Sequence, residues 1–219
     1  MPTFLLDISS SIINMLGGSD LCVNFYNELL TRLVSIGVVL YTFPALNYDG
    51  MLERIVFDRN RARDIANRIC NPMRARGTPL IRGISSILAQ EQNINTFIIL
   101  SDMLSDRSDD PNMIESLVNN IRSINIRLKL IYIRRRPSPI ETTELAIRLL
   151  QSLLGEQVCG ELRDSLERLR CLLIYMYNNV LIDCLLIIND IANVVRYQLD
   201  YFLQEIESLV NNSRNFIEL

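Results

Sequence analysis

The stretch Phe4-Leu5-Leu6-Asp7-Ile8-Ser9-Ser10-Ser11 decides the fold. Its first half is short and almost continuously apolar, which is typical of a strand buried on both faces of a parallel sheet. Its second half changes to acid and hydroxyl side chains, with Asp7, Ser9 and Ser11 at alternate positions. Because ligands of open α/β sheets bind outside the carboxyl ends of the strands, this stretch predicts a central strand and the beginning of a polar site.

Strand and helix patterns alternate from this stretch to about residue 177. Further apolar strands are predicted at 38–43, 51–57, 96–100 and 126–133, with helical patterns among them. The link between the second and third strands is rich in turn residues, which favours an antiparallel hairpin. We therefore predict an α/β domain over residues 1–177, with a Rossmann-like, mostly parallel sheet, one antiparallel edge strand and helices on both faces.

Residues 178–219 are predicted to form a C-terminal helical extension. Apolar residues recur there in alternating steps of three and four, which is typical of a helix with a coiled-coil-like seam. This seam comprises Leu181, Leu185, Ile188, Val195, Leu199, Phe202, Ile206 and Leu209. Two interpretations stay open: the helix packs on its own domain, or it pairs two copies of the chain or docks a helix of a partner.

The composition excludes several classes of site. The 219 residues include no histidine, so a Ser-His-Asp triad, a Cys-His dyad and an HExxH zinc site are impossible. The five cysteines contain no CxxC pair, which argues against a thiolate zinc site. A metal ion is therefore expected among oxygen ligands, which favours Mg²⁺, Mn²⁺ or Ca²⁺. The net charge of −3 makes general nucleic-acid binding an unfavourable interpretation.

The sequence also predicts a location. No basic leader precedes the first strand, and an odd number of scattered cysteines fits a reducing compartment, so we expect a cytoplasmic protein without a signal peptide. The most membrane-like stretch, residues 171–189, carries Asp183 and an Asn-Asn pair, so no membrane span is expected.

Two further segments are expected to bring oxygen atoms to the edge where the first strand ends. Gly77-Thr78 precedes a helix predicted from Pro79, and Ser101-Asp102 follows the strand at 96–100. If the two strands are neighbours, two carboxylates and three hydroxyls meet at one edge. The set is Asp7, Ser9, Ser11, Thr78 and Asp102. Such hard oxygen donors suit a small divalent cation, above all Mg²⁺.

These three segments resemble the metal-ion-dependent adhesion site (MIDAS) of the von Willebrand factor A (VWA) family. The resemblance covers roughly residues 3–175, and Met103 departs from it because the family usually has glycine after the aspartate. It implies that Ser9, Ser11 and Thr78 contact the metal directly, while Asp7 and Asp102 mostly hold its waters. The open coordination position would take an Asp or Glu of a protein partner.

Five arginines flank the same predicted edge. They are Arg74, Arg76, Arg134, Arg135 and Arg136. One interpretation is that they favour an acidic partner surface and speed its encounter. The other is that they form an ordinary solvated strand end and loop.

The expected function is a metal-dependent protein-protein interaction module without enzymatic activity, and a subunit of a larger intracellular assembly. The alternative is a metal-dependent hydrolase or phosphotransferase that uses Asp7 on a similar sheet, with Arg134–Arg136 binding phosphate. Position 9 is serine where the haloacid-dehalogenase pattern has a second aspartate, and a general base is hard to name. Without histidine ligands, the site is expected to lose metal only well below neutral pH.

Overall fold

The computed structural model describes residues 2–46, 52–71, 79–91, 94–104, 109–124, 126–134, 144–179, 181–211 and 215–219. Its strands are β1 (Thr3–Asp7), β2 (Val39–Phe43), β3 (Glu53–Ile55), β4 (Thr96–Ser101), β5 (Arg127–Ile133), β6 (Cys184–Ile188) and β7 (Asn215–Glu218). Its helices are α1 (Ser10–Met15), α2 (Ser19–Ile36), α3 (Ala62–Ile69), α4 (Leu80–Gln90), α5 (Met113–Ser123), α6 (Glu144–Leu154), α7 (Ser165–Asn178), α8 (Ile191–Tyr197) and α9 (Leu199–Asn211).

The described strands form one sheet in the order β3-β2-β1-β4-β5-β6-β7. Each neighbouring pair is parallel except β2 and β3, which are antiparallel. The prediction of a mostly parallel sheet with one antiparallel edge strand is therefore confirmed. Strands β1 and β4 are direct neighbours, with Leu6 opposite Leu100, so the polar residues that follow them meet at the same edge.

Helices cover both faces of the sheet, as the apolar strands predict. On one face α1, α2, α3, α8 and α9 contribute to a single apolar core, in which the rings of Phe25 and Phe202 stack with centroids 6.0 Å apart. On the other face α4, α5, α6 and α7 form a second core. All five residues of β1 are buried, because the strand lies between these two layers. This burial on both sides explains why the strand sequences are continuous apolar runs rather than alternating ones.

The prediction of a helical extension over residues 178–219 is wrong. Within it lie strand β6, two helices and strand β7, and both strands belong to the central sheet. Strand β6 pairs with β5 and is buried at every position. A short apolar run fits a buried strand as well as a helix, so the spacing alone could not distinguish the two.

The expected coiled-coil-like seam is also absent from the described residues, because its side chains are divided among several elements. Leu185 and Ile188 lie in β6, and Val195 lies on α8. The members on α9 pack into the core: Phe202, Ile206 and Leu209 are buried, and Leu199 is partly buried against them. Leu181 is 44% exposed and lies outside any helix. The sheet of the same chain therefore occupies the surface that was expected to bind a second helix.

Two disulfides join four of the five cysteines, whose scattered positions suggested a reducing compartment. Cys22 of α2 is bonded to Cys70, which ends α3, and Cys159 is bonded to Cys171 of α7. Disulfides persist in oxidising compartments and are rare in the cytosol. The pairing therefore removes the basis of the expected cytoplasmic location.

Across the described ranges, no helix is both long and apolar enough to cross a membrane.

Candidate functional site

Asp7 ends strand β1 and is completely buried. Its Oδ1 accepts a hydrogen bond from the backbone N–H of Ser9 at 2.9 Å, and its Oδ2 accepts one from the Ser101 hydroxyl at 2.7 Å. The hydroxyl of Tyr26 donates a hydrogen bond to the backbone carbonyl of Asp7 at 3.2 Å. These contacts fix the carboxylate between the ends of β1 and β4, where the sequence predicts a site.

Two serine hydroxyls lie beside each other on the segment that follows β1. The Oγ atoms of Ser9 and Ser11 are 2.8 Å apart and share a hydrogen bond. Ser9 is buried and immediately precedes α1, whereas Ser11 lies in the first turn of that helix and is only partly buried. The short helix α1, which the sequence analysis did not predict, therefore brings the second hydroxyl towards the first.

The end of β4 forms the other side of the site. Asp102 is buried, and its Oδ1 accepts a hydrogen bond from the backbone N–H of Leu104 at 3.1 Å. The Ser101 hydroxyl, which donates to Asp7, also accepts from the backbone N–H of Met103 at 2.9 Å. Ser101 therefore links both strand ends, a role that the sequence analysis missed although Ser101 directly precedes Asp102.

Met103 occupies the left-handed backbone region, with φ of 58°. This conformation favours glycine and costs a residue with a side chain about 1–2 kcal/mol. The departure from the family pattern at this position therefore keeps the turn that glycine would allow, with some backbone strain. The Met103 side chain is buried in the core on the α4–α7 side of the sheet.

The charge of Asp102 affects the protonation of Asp7. Burial raises the pKa of Asp7, the negative charge of Asp102 raises it further, and hydrogen bonds from Ser9 and Ser101 lower it, with a resulting pKa of about 7. Burial of the Tyr26 hydroxyl raises the pKa of Tyr26, and the charges of Asp7 and Asp102 raise it further. A metal ion at this site would therefore compete with the proton on Asp7 near neutral pH. The sequence analysis expected protons to displace the metal only well below neutral pH.

The sequence analysis did not identify two further residues near this edge of the sheet, Tyr132 and Asp109. Tyr132 of β5 lies opposite Ser101, and its buried hydroxyl has no hydrogen-bond partner within the part of the chain that the structure describes. Burial and the charge of Asp102 raise the pKa of Tyr132. Asp109 accepts hydrogen bonds from the backbone N–H groups of Ile81 and Arg82 at 2.8 and 3.1 Å, and so holds the start of α4. A tyrosine at a strand end is a weak signal, and no sequence pattern points to Asp109.

Several predicted site residues lie outside the described residues: Thr78, Arg74, Arg76, Arg135 and Arg136. Arg134 is described, and it follows β5. Its backbone N–H donates to the Ile188 carbonyl at 2.8 Å, and its guanidinium pairs with Glu167 and contacts Asn189 Oδ1 at 3.3 Å. Arg134 is therefore part of a network between β5, β6 and α7.

Among the described residues, no group of three or more acidic or cysteine side chains is arranged to hold a metal ion. The cluster at the ends of β1 and β4 is of a different kind. It combines the two carboxylates of Asp7 and Asp102 with the hydroxyls of Ser9, Ser11 and Ser101.

No protein-family model and no curated protein matches this sequence. Solved structures do match. Proximal thread matrix protein 1 from the mussel byssus is 12% identical with a TM-score of 0.46, over 94% of this chain and 45% of that chain. The VWA domain of SpRpn10 is 12% identical with a TM-score of 0.44, over 90% and 95%. An aerotolerance-related membrane protein from Bacteroides fragilis is 16% identical with a TM-score of 0.41, over 80% and 98%.

The chain spans about half the length of the mussel protein and nearly all of the other two matched chains. At these identities the similarity concerns the fold.

Proposed function

We propose that this protein is a VWA-like interaction module that binds a partner protein through a divalent cation, Mg²⁺ in the first place. The ligands would be Ser9, Ser11 and Thr78 through their hydroxyls, with Asp7 and Asp102 holding bound waters. The observation that carries this proposal is the buried pair of carboxylates at the ends of β1 and β4, beside two adjoining serine hydroxyls.

The buried carboxylates support a cation because they are unfavourable without one. Taking ionised carboxyl groups out of water is costly unless they are paired. Asp7 is completely buried and Asp102 is 1% exposed, and the charge of Asp102 disfavours ionisation of Asp7. A divalent cation at this edge would neutralise both groups. Perturbed pKa values such as that of Asp7 are more common at functional sites than elsewhere.

The serine pair supports the same cation. Mg²⁺ binds oxygen at about 2.1 Å, so two adjacent ligands of its octahedron lie about 3.0 Å apart. The Oγ atoms of Ser9 and Ser11 are separated by 2.8 Å. Because hydroxyls are neutral, a cation that they bind retains its affinity for an anion, and it would supply an open position for a carboxylate of the partner.

Binding is favoured over catalysis by the position of Asp7. Its carboxylate is completely buried between Ser9 and Ser101, so it does not reach a substrate as a nucleophile. The sequence has no histidine to act as a general base. A role as a subunit of a larger assembly is consistent with such a module. The two disulfides favour an oxidising compartment for this interaction over the cytoplasm.

Calorimetric titration of the full chain with Mg²⁺ tests the proposal. The wild-type protein is expected to bind one ion, and Ser9→Ala is expected to weaken this binding by about 10- to 100-fold. Ser123→Ala is the matched control, because Ser123 lies at the exposed end of α5 and hydrogen-bonds only within its helix among the contacts described. If the wild-type protein binds none of Mg²⁺, Mn²⁺ and Ca²⁺, the proposal is wrong.

A further inference from the structure

A cleft of about 490 Å³ lies beside the candidate metal site, between α1 and α8. Its polar lining consists mainly of Ser11, Asn14, Arg134, Asn189, Asn193 and Arg196. Strands β5 and β6 end at the same edge as β1 and β4, because all four are parallel neighbours. The cleft therefore opens on the edge of the sheet that carries the buried carboxylates.

The Arg196 side chain in the lining of the cleft favours an anion. Arg196 is exposed and forms no ion pair with any carboxylate of the described chain. The Arg134 guanidinium already pairs with Glu167 and donates a hydrogen bond to Asn189 Oδ1. Among the described residues, one carboxylate lines the cleft, that of Asp190, and its Oδ1 accepts a hydrogen bond from the backbone N–H of Asn193 at 3.0 Å. The side-chain amides of Asn14 and Asn193 add further hydrogen-bond donors, whereas that of Asn189 donates to Glu218 at 3.2 Å.

The guanidinium of Arg196 lies near the segment that follows α1. Its Nη2 lies 3.7 Å from the position that a Cβ atom on Gly17 would occupy. Gly17 has φ of 76°, in the left-handed region, and follows Leu16, the C-cap of α1. The guanidinium of Arg196, on α8, therefore reaches the turn after α1, where it can bind a group that enters between the two helices.

Ser11 connects the cleft with the candidate metal site. Its hydroxyl contacts that of Ser9, and the same residue lines the cleft. A peptide segment bound at the cation through one carboxylate would therefore continue into the cleft with its neighbouring residues.

We propose that the cleft is a second acid-binding subsite. The partner segment that gives one Asp or Glu to the cation carries a second acidic residue, which pairs with Arg196. A guanidinium and a carboxylate form paired, charge-assisted hydrogen bonds, which suit this recognition. Two acids on one segment also bind more tightly than either alone, since the second contact is intramolecular. This inference rests on the proposed function.

Selection from a random peptide library on the immobilised full chain in Mg²⁺ provides the probe. Each selected peptide is then made with either acid replaced by its amide, and binding is measured by fluorescence anisotropy with Mg²⁺ and with EDTA. The variant is Arg196→Ala, and the matched control is Arg63→Ala, which removes an exposed arginine from α3. Thermal unfolding of both variants verifies that they fold.

The expected result has three parts. Selected peptides carry two acidic residues at a constant separation, and EDTA abolishes their binding. Arg196→Ala weakens the two-acid peptide by about 10-fold but leaves the peptide without the second acid unchanged, since the coupling belongs to that one pair. Arg63→Ala binds both peptides like the wild type.

Two results would overturn the inference, and they differ in what they say about the cation. If EDTA abolishes binding but Arg196→Ala affects no peptide, the second subsite is wrong and the cation site stands. If no selected peptide depends on Mg²⁺, both the subsite and the proposed function are wrong, because the inference needs the cation as the first anchor.

Discussion

Strands β1 and β6 are equally buried, yet the aspartates at their ends are held in opposite ways. Asp7 belongs to β1, is completely buried and lies beside a second buried carboxylate. Asp190 lies beyond β6, is exposed and accepts a hydrogen bond from the backbone N–H of Asn193 as the N-cap of α8. At the end of β1, burial disfavours the charged form of Asp7. Beyond β6, the carboxylate of Asp190 serves as an ordinary helix cap.

The difference shows where this fold departs from local preference. The edge at β1 and β4 combines like charges in the interior, a left-handed Met103 and a buried Tyr132 hydroxyl without a partner among the described residues. The end of β6 has none of these features in the part described. Unfavourable arrangements persist at functional sites because function requires them, so the contrast favours β1 and β4 as the site.

The largest expected effect concerns Asp7 and pH. Its folded pKa of about 7 lies above the ordinary 3.8, so the folded state holds the proton more tightly. Stability is therefore greatest below pH 4 for this group and falls as pH rises to 7, by about 4 kcal/mol in total. In EDTA, Asp7→Asn is expected to remove this loss and to be more stable than the wild type near pH 8. Urea unfolding of both proteins at several pH values measures this difference in the free energy of unfolding.

Asp190→Asn is the control at the other strand end, because it keeps a good N-cap at an exposed position. Its stability should follow the wild-type curve across the same pH range. Mg²⁺ near pH 8 should restore the stability of the wild type but not increase that of Asp7→Asn. A wild-type curve that is flat between pH 4 and 8, relative to Asp7→Asn, would contradict the burial argument.

Ser101→Ala is expected to have the next largest effect. It removes the hydroxyl that donates to Asp7 and accepts from Met103. Loss of a hydrogen bond to a buried charge should destabilise the metal-free protein by about 2 kcal/mol near pH 8, and by less at pH 5, where Asp7 is protonated. Thr42→Val is the control, since the buried Thr42 hydroxyl has no hydrogen-bond partner in the described ranges. Equal losses in the two variants would contradict a special role for Ser101.

Met103 tests the strain at this edge. Met103→Ala and Met103→Gly both remove a buried side chain, so both should be less stable than the wild type. Because the backbone there is left-handed, the glycine variant should be the more stable of the two by about 1 kcal/mol. Thermal unfolding of the pair measures the difference. The opposite order would show that the turn is unstrained.

The smallest effect is expected at β6. Asp190→Ala removes the N-cap of α8 and should destabilise the protein by about 0.5–1 kcal/mol, while Asp190→Asn or Asp190→Ser should restore most of this. Chemical denaturation of the three variants tests it. A loss in Asp190→Ala as large as that of Ser101→Ala would remove the distinction between the two strand ends.

Local sequence patterns predicted the first two thirds of the fold well, and the reason is physical. Strands such as β1, β4 and β5 are short apolar runs next to turn and cap residues, and helices such as α2 and α4 have clear boundaries. After residue 178 the helical pattern holds for α8 and α9 but fails at β6, because the run that includes Cys184–Ile188 also fits a helix by spacing. Only pairing with β5 and β7 makes it a strand.

For the site, the sequence by itself determined the chemistry: the absence of histidine, the oxygen donors Asp7, Ser9, Ser11 and Asp102, and their positions at strand ends. The tertiary structure decided which groups interact. The order of the strands brings the Ser101 hydroxyl to Asp7. It also places Asp102 close enough to raise the pKa of Asp7. It also decided which cysteines are bonded and that Arg196 reaches α1. Donor type is a property of each residue, whereas pairing and desolvation depend on residues distant in sequence that only folding brings together.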